Sequence, residues 1–175
     1  MNYAEIKYFD IANGPGVRVS VFVSGCTHKC KGCFNHVAWD FNYGTPFDDT
    51  VKNKILNECS YDYIKGLSLL GGEPFEPENQ SVLLDLIKEF KKMYPQKDIW
   101  CYSGYTYEQL TGKTDARCST PEALEMLSYI DVLVDGKFDK DLYSIRLKFR
   151  GSSNQRLIDL NKTRSSGEIV LWEDE

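Results

Sequence analysis

Cys26, Cys30 and Cys33 stand within eight residues, in Ser24-Gly25-Cys26-Thr27-His28-Lys29-Cys30-Lys31-Gly32-Cys33-Phe34-Asn35. The spacing is C-x3-C-x2-C, and no fourth cysteine completes the set. A closed [4Fe–4S] site places a thiolate on each of its irons, so three thiolates leave one iron open to another ligand. That arrangement suits reaction chemistry better than simple electron transfer. A structural zinc ion would want four ligands, the fourth coming from His28 or His36, the chain's two histidines. His28 is wedged between two of the cysteines on a tight loop, and His36, three residues after Cys33, is the better zinc ligand. Spacing alone ranks the open cluster ahead of zinc and leaves both standing.

Other segments carry polar groups to strand ends. Leu69-Leu70-Gly71-Gly72-Glu73-Pro74 closes an apolar run with two glycines, whose backbone N–H and C=O groups a small ligand can approach. Asn13-Gly14-Pro15-Gly16 is a tight turn leading to Arg18, which is either a residue facing a cavity or a strand salt-bridge partner. Asp135-Gly136-Lys137 comes after Val132-Leu133-Val134 and sets a carboxylate and an ammonium at another strand end; as a surface ion pair it would stabilise little. Arg150-Gly151-Ser152-Ser153-Asn154-Gln155-Arg156 is a polar turn whose Asn154 and Gln155 could also hydrogen-bond a peptide backbone.

C-x3-C-x2-C resembles the signature of the radical S-adenosylmethionine family. The resemblance implies that Cys26, Cys30 and Cys33 hold a [4Fe–4S] cluster, with S-adenosylmethionine chelating the fourth iron. It assigns cofactor contacts to Gly32, Cys33 and Phe34, and to Gly71, Gly72 and Glu73, whose segment is similar to one that meets the amino group of the methionine moiety. The family's commonest signature has an aromatic residue just before the third cysteine, whereas this chain has Gly32 there and Phe34 after it. Cys-x-Gly-Cys with an aromatic and Asn after it is similar to the small activating proteins of anaerobic (class III) ribonucleotide reductases. Those proteins often carry Asp where Glu73 stands, which keeps the carboxylate. Asn-Gly-Pro-Gly-x-Arg is similar to a segment of glycyl-radical-enzyme activases, and the resemblance runs from about Asn13 to Arg156.

By this resemblance the chain is expected to be an enzyme, a radical S-adenosylmethionine oxidoreductase. It would cleave S-adenosylmethionine reductively and use the 5′-deoxyadenosyl radical to make a glycyl radical on the large subunit of an anaerobic ribonucleotide reductase. A flavodoxin or ferredoxin would donate the electron. Asp135 and Lys137 would act near the adenosyl group or the partner's glycine loop, and the aromatic Trp100–Thr106 stretch would pack the core or flank adenine. Three alternatives remain: an activase of the pyruvate formate-lyase type, a small-molecule enzyme such as a carboxy-deazaguanine synthase, and a non-catalytic zinc or iron–sulfur interaction module.

The elements that must position these residues alternate. Val17–Ser24 places valine at every odd position and Arg18, Ser20, Phe22 and Ser24 at the even ones, a strand with one apolar face that runs straight into the cysteine loop. Further strands are expected at Gly66–Leu70, Asp98–Tyr102 and Asp131–Asp135, with a last one at Glu168–Trp172. Helices are expected over about 48–59, 79–93 and 121–129, the second with Val82, Leu83, Leu86, Phe90 and Met93 on one face. Thr120 and Pro121 read as an N-cap and first turn, and Thr106 with Gln109 as a capping box. The rhythm predicts an α/β fold with a mostly parallel sheet. The cluster would sit at strand C-termini, where ligands gather in such folds.

Size and charge narrow the classes. A full eight-fold barrel takes ~250 residues, so 175 residues predict a single domain, 1–175, shaped as a truncated (partial) β/α barrel of the radical S-adenosylmethionine type. With 21 basic and 26 acidic residues the net charge is −5, which argues against a nucleic-acid partner. No signal segment or membrane-length apolar run is present, so the expectation is a cytoplasmic protein with no membrane partner, in which clustered cysteines mean metal or catalysis. Cys59, Cys101 and Cys118 read as buried structural thiols.

Overall fold

The computed structural model describes residues 1–174. Seven strands form one sheet: β1 (Asn2–Asp10), β2 (Val17–Val23), β3 (Thr45–Pro46), β4 (Ile64–Gly71), β5 (Asp98–Tyr102), β6 (Val132–Asp135) and β7 (Arg156–Asp159). Their order is β3-β1-β2-β4-β5-β6-β7. The central four, β2, β4, β5 and β6, are parallel. β1 and β3 on one side and β7 on the other add antiparallel pairs. The α/β class and the parallel centre match the sequence expectation, and the three antiparallel strands enlarge the sheet beyond it.

The period-two pattern of β2 explains one face. Val19, Val21 and Val23 join Leu67 and Leu69 of β4, Ile99 and Cys101 of β5 and Leu133 of β6 in the main core. Helices α1 (Asp49–Glu58), α2 (Pro77–Met93) and α4 (Pro121–Tyr129) supply the other side of that core. In α2 the buried stripe is Leu83, Leu86, Ile87 and Phe90, the i, i+3, i+4, i+7 spacing of one helical face. Met93, expected on that face, is 46% exposed, because it is the last helical residue and the chain leaves through Tyr94. Thr120 caps α4, Thr106 and Gln109 form the capping box of the short α3 (Tyr107–Leu110), and Cys59, Cys101 and Cys118 are fully buried.

The opposite face of the sheet carries no helix of the main core. Trp100, Val132 and Val134 pack there with Tyr102, Phe149, Leu157 and Trp172. Arg18 and Ser20 of β2 share this face and are fully buried. The strand expected at Glu168–Trp172 reduces to one bridge, Leu171 with Ile158. The last helix, α5 (Leu160–Ser166), ends at Gly167 in the left-handed conformation, and the returning chain meets a β7 only four residues long.

Candidate functional site

The base of the helix-free face is closed by Arg18. Its guanidinium donates to Ser68 Oγ at 2.7 Å, to the carbonyls of Pro15 and Leu67 at 3.1 Å each, and to Asp98 at 2.5 Å. The Trp100 ring lies 5.8 Å from the guanidinium carbon. The glycine turn before it has a steric reason: a Cβ at Gly14 would come within 2.9 Å of the Arg18 side chain. Of the two roles open to Arg18, the structure assigns the ion pair.

At the other end, β2 delivers the chain into the cysteine loop. The Gly25 and Cys26 N–H groups donate to the carbonyls of Ala38 and Trp39 at 2.8 and 3.2 Å, which folds the loop back over a 3-10 turn at His36–Trp39. Two buried carboxylates clamp the loop from below. Glu76 accepts from the Thr27 N–H and hydroxyl at 2.7 and 2.6 Å and is paired with Arg117. Glu73 accepts from four groups: His28 Nε2 at 2.9 Å, the Gly104 N–H at 2.7 Å, Ser103 Oγ at 2.8 Å and the Phe75 N–H at 2.9 Å. Asn79, near the start of α2, donates to the carbonyls of both Ser24 and Glu73 at 3.0 Å.

The N–H groups of Gly72 and Glu73 donate to the carbonyls of Val23, at the end of β2, and Gly25, in the cysteine loop, at 2.7 and 2.8 Å, so these two donors tie the glycine segment to the loop. A Cβ at Gly72 would approach the Gly25 carbonyl to 2.6 Å. Close contact between two backbone segments therefore requires the glycine.

These elements surround a cavity of about 480 Å³, inside the roughly 300–1,000 Å³ range of small-molecule sites. Cys26, Cys30, Cys33, Phe34, Gly71, Gly72 and Glu73 all line it. Gly32, Asp135 and Lys137 do not, although Gly136 does. Asp135 is 1% exposed and engaged elsewhere: it accepts from the Tyr107 N–H at 2.7 Å and from Arg156 at 2.5 and 2.9 Å. Gly32 leaves room for the Lys140 stem behind the loop. Of the histidines, His28 is tied to Glu73 and packed on Tyr105 with centroids 4.3 Å apart, and His36 is exposed against Trp39.

The donor set fits an iron–sulfur cluster and a nucleoside-sized ligand. The three cysteines are free thiols turned to one cavity. Burial and the neighbouring Glu73 charge push the Cys26 thiol up to about 12, and burial also raises Cys30. Such thiols become thiolates when a metal centre supplies the compensating charge. The buried polar inventory points to a ligand as well: the Trp39 indole N–H and the Tyr102 hydroxyl line the cavity without a hydrogen-bond partner. Sequence reasoning missed Glu76 and Trp39, and it placed Tyr102 and Ser103 only within the Trp100–Thr106 stretch expected to pack the core or flank adenine. Strand alternation puts Tyr102 on the face of Trp100 at the C-terminal end of β5.

Comparison with known proteins adds a family. A model described as a 4Fe-4S single cluster domain matches residues 12–158. The anaerobic ribonucleoside-triphosphate reductase-activating protein of Pasteurella multocida is 45% identical over 157 residues, covering 89% of this chain and 95% of that protein. The proteins of the same name from Enterobacteria phage T4 and Escherichia coli K12 are each 41% identical, covering 90% and 89% of this chain and 93% and 96% of their own lengths.

Proposed function

Because the chain belongs to the family of anaerobic ribonucleoside-triphosphate reductase-activating proteins and contains a 4Fe-4S single cluster domain, we propose that it is a radical S-adenosylmethionine activase of an anaerobic ribonucleotide reductase. One observation carries this reading: Cys26, Cys30 and Cys33 meet Gly71, Gly72 and Glu73 on a single cavity at the C-terminal ends of parallel strands. In this reading the three cysteines hold the [4Fe–4S] cluster, and the Gly71–Glu73 segment with Cys33 and Phe34 borders S-adenosylmethionine. Together, when bound, cluster and S-adenosylmethionine supply one-electron cleavage of a sulfonium and a 5′-deoxyadenosyl radical able to take hydrogen from a glycine Cα of the reductase's large subunit.

The chain's own residues bind, orient and exclude water. Phe22, Leu70, Phe138 and Phe149 give the cavity apolar walls, which protect a reactive species from solvent. Glu73 orients the cysteine loop through His28 and ties it to Ser103 and Gly104 at the end of β5. Asp135, expected as a catalytic group, acts here through Arg156 and the Tyr107 N–H, holding Gly136 at the cavity wall. Lys137 places positive charge near Cys30, and Gly32 gives the loop its clearance from Lys140. Phe34 is 77% exposed beside Phe138 and Tyr143, at ring distances of 5.5 and 5.8 Å, and in this reading the rim it forms would meet the protein substrate.

The finer parts of the reading are a single radical S-adenosylmethionine domain over residues 1–175, a sheet curved as a partial barrel, a cytoplasmic setting, and a flavodoxin or ferredoxin as electron donor. Among the described residues no helix is long and apolar enough to cross a membrane. The deciding experiment is anaerobic incubation of cluster-loaded protein, a reductant and S-adenosylmethionine with an anaerobic ribonucleotide reductase, read by electron paramagnetic resonance. A glycyl radical on the reductase is the expected signal. Cleavage of S-adenosylmethionine without that signal would move the substrate to another glycyl-radical enzyme, and absence of cleavage would end the radical reading.

A further inference from the structure

Among the described residues only two buried side-chain polar atoms lack a hydrogen-bond partner, Trp39 Nε1 and the Tyr102 hydroxyl oxygen. Both side chains line the cysteine cavity. Folded proteins leave few such groups unmet, because a buried donor without an acceptor keeps the full cost of its desolvation. The two carboxylates that clamp the cysteine loop are already committed. Glu73 receives four donors, and Glu76 receives Thr27 and Arg117. Both donors are left without a partner beside the cavity.

Their positions differ in a useful way. Trp39 closes the turn beside the cysteine loop, where its carbonyl receives the Cys26 N–H at 3.2 Å. Tyr102 ends β5 on the helix-free face, where the cavity floor also includes Phe22 and Leu70. An indole N–H is a donor only, so its partner must be an acceptor atom. Burial pushes the Tyr102 phenol above its ordinary range, which keeps it a neutral O–H.

We infer that Trp39 Nε1 and the Tyr102 hydroxyl are ligand-holding donors, kept for acceptor atoms of bound S-adenosylmethionine: its carboxylate oxygens, ribose oxygens or purine ring nitrogens. The inference rests on the radical S-adenosylmethionine reading and adds two binding residues, Trp39 outside every motif and Tyr102 within the aromatic Trp100–Thr106 stretch. It also sets opposite signs on two measurements. Losing a ligand-holding hydroxyl weakens binding, while losing an orphaned hydroxyl relieves the ligand-free protein.

The test compares wild type with Tyr102→Phe and Trp39→Phe. Equilibrium binding of S-adenosylmethionine is measured on anaerobic, cluster-loaded protein held oxidised, so that no cleavage occurs. Thermal midpoints are measured on the ligand-free protein. Each variant is expected to raise the dissociation constant roughly 3- to 10-fold, and Tyr102→Phe to leave the midpoint unchanged or higher. Unchanged affinity in a variant overturns the role of that residue. For Tyr102→Phe a lower midpoint accompanying weaker binding overturns it too, because a structural role would produce both. Wild-type protein that fails to bind S-adenosylmethionine removes the underlying reading, whereas wild-type binding with unaltered variants removes this inference alone.

Discussion

Glu73 lines the cavity yet spends both carboxylate oxygens on groups of the protein itself. Its charge organises more than it contacts, since one side chain joins the end of β4, the end of β5 and the cysteine loop. Glu73→Gln puts an amide donor where two donors need an acceptor. We expect a loss of about 2–4 kcal/mol and a midpoint lower by roughly 5–10 °C, with less iron retained per chain after reconstitution. Normal iron retention at an unchanged midpoint would show that the network does not hold the loop. Cys30→Ala removes one of the three thiols, and the expected outcome is loss of cluster iron and of S-adenosylmethionine cleavage together; cleavage by a rebuilt Cys30→Ala protein would contradict the ligand assignment. At this scale the sequence was informative wherever chemistry is local. The three cysteines and the glycine pair are contiguous, and both border the cavity. Asp135 was not legible in the same way, because a strand-end carboxylate looks identical whether it faces a cavity or an arginine 21 residues ahead.

Elements explain what single residues do not. The strand ends are held by ion pairs of long sequence separation, Arg18 with Asp98 under the cavity and Arg156 with Asp135 and Glu108 beside it. Arg18→Ala should destabilise by about 2–4 kcal/mol, because it leaves Ser68 and the Leu67 carbonyl without their buried donor and Asp98 without its partner, measured by denaturant unfolding; a loss below about 1 kcal/mol would show the guanidinium to be dispensable. The Arg156 clamp carries a pH signature. Arg156 holds the Glu108 carboxyl below its ordinary value of 4.5. A depressed carboxyl pKa contributes stability that is present above the unfolded value and lost as pH falls through the folded one. The stability gap between wild type and Arg156→Gln should therefore be open at neutral pH and narrow under acid, below about pH 4. A gap that stays constant with pH would remove Glu108 from the clamp. The helices and the central strands were legible because caps and periodicity are local. β1, β3 and β7 were not, since each exists through pairing with a neighbour that the local pattern does not specify.

At the scale of the molecule, helices of the main core pack one face of the sheet, and loops roof the other. A helix-packed core carries most of the stability, and the cysteine loop at the strand ends is the part a bound cluster can still order. Hydrogen exchange should show residues 24–35 gaining protection on cluster loading while β4 and β5 stay as they were; equal protection in both states would mean the loop is rigid beforehand. An open sheet also has two sides on which another chain could add a strand. One ends in the two-residue β3, whose Pro46 has no N–H to donate. The other, β7, is covered by the returning tail, where the Asp159 N–H donates to Val170 and the Trp172 N–H to Leu157 at 2.9 and 2.8 Å. That short bridge occupies backbone groups of β7 that a second chain would otherwise meet. A chain cut after Gly167 should form oligomers that grow with concentration in size-exclusion chromatography, at a concentration where the full chain elutes at constant size.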